Sequence, residues 1–281
     1  MAKITQNHTQ AVSGWAALDS SGKITPYVFN RRENGVNDVT IKILYCGICH
    51  TDLHYAKNDW GITMYPVVSR HEITGIVLEV GSNVRNFKIG DKSCSTYNGV
   101  FWDGSITYGG YSNMLVADYR FVVVVPRTYQ WTEQHHCYVQ ENEAKTKLGA
   151  DDFIVSSDAQ QMKSRQKTLD FILDTVSANH SLGPYLELLK VKGTFVIVGA
   201  PDKPVGLPAF PLIFGKRTVK GSMIGSIKET QEMIDICGKY NIMCDIEIIT
   251  PDRINEAYDR IEKNDIKYRF VIDIAAHSSK L

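Results

Sequence analysis

YCGICHTDLHYAKNDWGITMYPVVSRHE, running from Tyr45 to Glu72, gathers two cysteines, three histidines and a glutamate into one short window. Zinc takes deprotonated sulfur, neutral imidazole or carboxylate, and a catalytic zinc keeps three protein ligands and one open position. Cys49, His71 and Glu72 offer such a ligand set. Thr51 and His54 follow Cys49 closely and offer a hydroxyl-to-imidazole route for a proton, because a hydroxyl both accepts and donates and an imidazole titrates near neutrality. Cys46 and Cys49 also have the CxxC spacing of a redox pair. They follow a strand-like run, Val39–Leu44, with no clear helix to lower a thiol pKa, which counts against that reading.

The bulk of the chain sets the frame around this window. At 281 residues it is long enough for two domains. Lys+Arg and Asp+Glu both number 31, and this balance argues against nucleic acid or an anionic membrane as the main partner. A hydrophobic share of 43% and a charged share of 22% are those of an ordinary globular protein. The N-terminal residues lack an apolar stretch of signal-peptide length and no apolar run spans a bilayer, so a cytoplasmic location is expected. Six cysteines in such a chain are read as thiols or metal ligands rather than a disulfide framework, with Cys237 and Cys244 as packing residues.

Short β segments are expected at Val12–Leu18, Tyr27–Asn30, Asp38–Tyr45, Ile73–Val80 and Phe121–Val125, separated by turn signals such as Asn34-Gly35 and Gly90-Asp91. Such a series predicts a small barrel or sandwich. The pattern then changes. A short helix-like segment covers Glu141–Leu148, Thr168–Thr175 reads as a buried strand, and Leu182–Lys190 has helical spacing. Gly193–Gly199 is a near-continuous apolar strand of the kind a parallel sheet needs. Alternation of this kind predicts βαβ units. An amphipathic helix over Ile227–Tyr240 and strands at Cys244–Ile249 and Tyr268–Ile274 complete the chain.

The segments GICHTDLH, the following HE, YNGVFWDGSITYGGYS, KLGAD, DTVSANH, VGAP, KETQEMID and KYRFVIDIA, in this order, closely resemble plant cinnamyl alcohol dehydrogenases and, more broadly, the zinc-dependent medium-chain alcohol dehydrogenases. The resemblance implies an α/β plus β architecture: a GroES-like β-barrel catalytic domain over residues 1–128, a truncated Rossmann-type parallel-sheet domain over 129–226, and a segment, 227–281, that returns to the first. It implies NADP(H) and one catalytic zinc as cofactors, an aldehyde or alcohol as small-molecule substrate, and a homodimer. Cys49 and His71 resemble catalytic-zinc ligands, and Glu72 the carboxylate that takes the fourth position when substrate is absent. Thr51 and His54 resemble the relay that delivers a proton to the alcohol oxygen. Thr175, Gly199, Ser222 and Ile224 match positions lining the nicotinamide half of the cofactor. Thr175, Gly199 and Ser222 also have plainer readings, as a strand end, a packing glycine and a turn.

The chain departs from that family in three places. Only Ser93-Cys-Ser-Thr96 stands where the family inserts a four-cysteine lobe, so a structural zinc is expected to be absent. Between Pro126 and Glu141 the family carries its third zinc ligand, a helix, a strand and the glycine-rich turn that brings backbone N–H groups to the pyrophosphate; RTYQWTEQHHCYVQ stands there instead. Cys137, with His135 and His136 before it, is either a replacement ligand or part of a polar connection. Arg70 replaces the glycine before His-Glu, putting a permanent charge and a side chain where glycine torsions are the rule. Two functions follow as expectations. One is a zinc-dependent, NADP-preferring dehydrogenase of cinnamyl-type or related allylic and terpenoid aldehydes. The other is a catalytically impaired relative, or an incomplete gene product, that acts at most as a binding or dimerising subunit.

Overall fold

The computed structural model describes residues 9–93, 107–125, 145, 150–201, 203–223, 225–242, 246–263, 265–266 and 269–277. Cys94, Tyr97, Pro126, Cys137, Ile224, Cys244 and nearly all of 141–148 lie outside the described residues. The chain divides into two compact units, Met1–Tyr138 with Gly225–Leu281, and Val139–Ile224. Among the described residues no helix is long and apolar enough to cross a membrane.

In the first unit, β1 (Thr9–Ala17) and β2 (Ile24–Arg32) form an antiparallel ladder. β3 (Asp38–Gly47) is the axis of the unit. It pairs antiparallel with β4 (Ile73–Val80), which carries β5 (Lys92–Ser93), and also with β6 (Met114–Asp118). Its alternate positions Val39, Ile41 and Ile43 are fully buried while Lys42, between the last two, is exposed, the alternation of an antiparallel strand with one face on the core. β4 runs along one edge of β3 from Val39 to Cys46, with register shifts after Thr40 and Ile43, while β6 pairs with the other edge over 38–42.

Two local expectations are corrected. The strand expected at 121–125 lies earlier, at β6. Asp118 accepts hydrogen bonds from the Arg120 backbone and side chain and starts a 3₁₀ turn over Tyr119–Phe121. Val122, Val123 and Val125 are buried through packing and belong to no ladder. The second correction is a helix, α1 (His50–Lys57), directly after Cys49. Its eight residues are mostly polar and bury only Asp52, Leu53 and Ala56, so no apolar period announces it.

The second unit is a three-stranded parallel sheet, ordered β7 (Leu169–Asp174), β8 (Leu189–Ile197) and β9 (Thr218–Gly221). It follows the short α2 (Ala159–Ser164). The helices α3 (Gly183–Leu188) and α4 (Ala209–Gly215) connect its strands, as parallel pairing requires. β8 begins four residues before the apolar run that identifies it, because Leu189 already pairs with Leu169. Leu182, Leu186, Leu189 and Phe195 make a small separate core.

After β9 the chain re-enters the first unit. α5 (Ile227–Tyr240) begins at a capping box of Ser226 and Glu229. β10 (Glu247–Ile249), α6 (Ile254–Glu262) and β11 (Phe270–Asp273) follow. β10 runs parallel to β11, and β11 pairs antiparallel with the end of β3: Val271 opposite Gly47, Ile272 opposite Cys46. α6 adds Ile254, Ala257, Tyr258 and Ile261 to the same core as β3. Ile43→Ala would open a cavity at a fully buried position of the central strand. Denaturant unfolding followed by circular dichroism should show a loss of about 2–5 kcal/mol.

Candidate functional site

Cys49 leaves the end of β3 and caps α1. Its backbone N–H donates to Asp52 Oδ2 at 2.8 Å, and its Sγ lies 3.5 Å from Thr51 Oγ1. His71 and Glu72 come from the loop entering β4. Ligand atoms of Cys49, His71 and Glu72 all lie within 4.8 Å of one another, forming among the described residues a group suited to a metal ion. That separation, in a soft sulfur, imidazole and carboxylate set, fits a zinc.

The electrostatics keep the thiolate form accessible. Burial pushes the Cys49 thiol up, but the hydrogen bond with His71 and the Arg269 charge outweigh it, and the pKa falls below its ordinary value. Burial likewise disfavours charge on His71, yet the Cys49 bond and the Asp52 charge raise it. A lowered thiol is a better metal ligand at neutral pH.

Beneath these donors runs a line of alternating charges. Arg70 donates to Asp52 and, at 2.6 Å, to Glu72 Oε2. Arg269 donates to Glu72 Oε1 from the residue before β11. Asp52 and Arg70 are both 0% exposed, so neither charge has solvent to compensate it. Burial lowers the Arg70 pKa, and the Asp52 and Glu72 carboxylates more than reverse this, holding it well above the usual value. The Arg70 backbone has φ 114°, a conformation costing a side-chain-bearing residue about 1–3 kcal/mol. Surrounding structure holds it there. Gly109 N donates to Val68 O at 2.7 Å, Gly110 N to Arg70 O at 3.0 Å and Tyr111 N to Ser69 O at 3.2 Å. Gly47 is needed for room: a Cβ there would fall 2.7 Å from Arg70 Nη2 and 2.8 Å from Glu72 Oε2.

Thr51 lies beside Cys49, whereas His54 sits one turn further along α1. His54 Nδ1 meets Asp59 Oδ2 at 2.8 Å, its ring packs on Trp60 at 4.9 Å, and its Nε2 is buried without a hydrogen-bond partner among the described residues. Thr51 and His54 therefore share no direct hydrogen bond. The sequence reading missed Asp52, Asp59 and Arg269. Asp52 stands three residues after Cys49, the spacing of a carboxylate that returns to an N-cap backbone, but nothing local points to Arg269.

In the second unit Thr175, Gly199 and Ser222 follow the carboxyl ends of β7, β8 and β9. Gly199 N donates to Asp174 O at 3.1 Å and Ser222 N to Ile197 O at 3.1 Å, which brings three successive strand ends together. A Cβ on Gly199 would meet Val176 O at 2.2 Å, so the approach of these two loops itself requires glycine. In open α/β sheets ligands bind outside these ends. Ile224 lies outside the described residues.

Comparison with known proteins matches this architecture. Residues 35–127 match the alcohol dehydrogenase GroES-like domain, and residues 139–239 match the zinc-binding dehydrogenase family. A probable cinnamyl alcohol dehydrogenase of Oryza sativa subsp. japonica is 51% identical over 357 positions, covering 98% of this chain and 99% of that protein. A solved cinnamyl alcohol dehydrogenase of Sorghum bicolor is 38% identical, with TM-score 0.89 over 95% of this chain and 98% of its own. The Helicobacter pylori enzyme solved with NADP(H) is 28% identical, with TM-score 0.80 over 95% of this chain and 99% of its own. Sequence, domain content and fold agree: the chain belongs to the cinnamyl alcohol dehydrogenase-like branch of the zinc medium-chain alcohol dehydrogenases.

Proposed function

We propose that the protein interconverts cinnamyl-type or related allylic aldehydes and their alcohols with NADP(H), using one zinc held by Cys49, His71 and Glu72. The observation that carries this reading is the convergence of those three donors within 4.8 Å. The NADP(H) bound in the Helicobacter pylori relative and the name of the rice relative support the cofactor and substrate class. When bound, zinc supplies Lewis-acid polarisation of the carbonyl oxygen and the nicotinamide supplies a hydride.

The chain's own groups do the rest. Asp52 fixes the start of α1 through the Cys49 backbone, and so aims the thiolate. Thr51, beside Cys49, offers a hydroxyl that can pass a proton in either direction. Asp59 orients the His54 ring through Nδ1, and Nε2, buried and unpartnered among the described residues, is the nitrogen that would handle a proton once a polar group reaches it. With no direct bond between Thr51 and His54, a water would have to stand between them for a proton to pass. Thr175, Gly199 and Ser222 present the strand ends that receive the nicotinamide half of the cofactor. The expected homodimer remains part of this reading.

A second reading has its own observation. The alignment with the rice relative runs over 357 positions against 281 residues here, so stretches of that relative face gaps in this chain. The glycine-rich turn for the pyrophosphate is among the motifs this sequence lacks. A chain that cannot hold NADP(H) would act as a non-catalytic subunit.

Oxidation of NADPH by zinc-replete protein, offered cinnamaldehyde and terpenoid aldehydes, separates the two readings. Turnover is expected with cinnamaldehyde, and folded protein showing neither turnover nor NADPH binding sinks the dehydrogenase reading. Cys49→Ser should lose its zinc by elemental analysis and at least about 100-fold in kcat/KM. His54→Ala should keep its zinc by elemental analysis and lower kcat about 100-fold in steady-state kinetics.

A further inference from the structure

Arg70 does not take part in the proposed reaction, yet the pocket is built around it. Its side chain is wholly buried, its backbone holds φ 114°, and its guanidinium bridges Asp52 and Glu72. Glu72 is thus already in contact with a cation, and Arg269 takes its other oxygen. A guanidinium keeps its proton in any protein environment, so this charge is permanent. Zinc entering between Cys49, His71 and Glu72 would meet a carboxylate held by two guanidiniums and a fixed positive charge that no solvent screens. Conversely, without metal the buried carboxylates are already compensated, and the pocket has no unpaired charge to drive it apart.

We propose that Arg70 is a resident cation of this pocket: it maintains the folded arrangement without metal and lowers the affinity for zinc, making the metal an exchangeable rather than a permanent constituent. This inference rests on the reading of Cys49, His71 and Glu72 as a zinc site. Arg70 is a positioning residue, acting through the two carboxylates.

The test compares full-length wild type with R70G, R70M and R70K, each stripped with a chelator and checked for folding by circular dichroism. Zinc affinity is read by competition with a chromophoric chelator, and melting temperature is read with and without zinc. R70G and R70M should bind one zinc at least about tenfold more tightly than wild type, while R70K, which keeps the charge, should stay close to wild type. Stripping should leave the wild-type melting temperature nearly unchanged and lower that of R70G and R70M by about 5 °C or more, with recovery on adding zinc. If R70G does not fold, the neutral R70M and the charged R70K still separate charge from volume. Equal affinities across the four proteins overturn the proposal, as does a wild type that loses as much stability on stripping as R70M. If no protein binds zinc, and cobalt produces no thiolate absorption that Cys49→Ser removes, the metal reading itself falls, a result distinct from equal affinities.

Discussion

The pairing of β11 with the end of β3 is the contact on which the rest of the first unit depends. Phe270 O accepts from Ile48 N at 2.8 Å, and Ile274 N donates to Leu44 O at 3.0 Å, so the ladder brackets Cys46 and Gly47 from outside. It fixes the direction in which the chain leaves β3, and therefore where Cys49 begins α1. It also sets Arg269 one residue before the ladder, within reach of Glu72. Without β11, β3 would lose a neighbour at the point where the candidate site begins.

Around that ladder the charges follow an order that low dielectric imposes. Asp52, Arg70, Glu72 and Arg269 alternate in sign and touch in sequence, and each buried charge has an opposite one in contact. A pair of this kind adds little net stability compared with an apolar core, but removing one member leaves a buried charge stranded, at about 3–5 kcal/mol. The same arrangement binds geometry to chemistry. The carboxylate that orients the Cys49 backbone is tied through Arg70 to the carboxylate beside His71, so the donors cannot shift independently. The strained Arg70 backbone belongs to this arrangement, because Gly109, Gly110 and Tyr111 hold the segment 68–70 by its main chain while the ion pairs hold it by its side chain.

Much of this was legible where a local signal existed. β4 and α5 have the spans their patterns predict, because ITGIVLEV is a compact β-branched run and Ser226 to Glu229 forms a cap. Residue type alone singled out Cys49, His71 and Glu72, the three donors that the fold brings within 4.8 Å of one another. α1 was not, because its stability comes from Asp52 and from packing of Leu53 and Ala56 rather than from an apolar period. The turn at Asp118 overrode a valine-rich run that composition alone makes a strand. Arg70 could be recognised as out of place, but its carboxylate partners could not, and Arg269 could not be linked to Glu72, since neither connection is written in local spacing. The three strand ends bearing Thr175, Gly199 and Ser222 came together only through the parallel register of the second sheet.

The contact between Arg269 and Glu72 spans 197 residues. Closing a flexible loop of that length costs about 5 kcal/mol of chain entropy by logarithmic scaling, and contacts of such range slow folding. Between them, however, Val139–Ile224 forms a compact unit with its own core. If that unit condenses first, the search that unites β3 with β11 is shortened. The inserted unit would then act as an internal folding aid for the pocket it interrupts. A lesion in its small core would delay the arrival of Arg269 without touching the site itself.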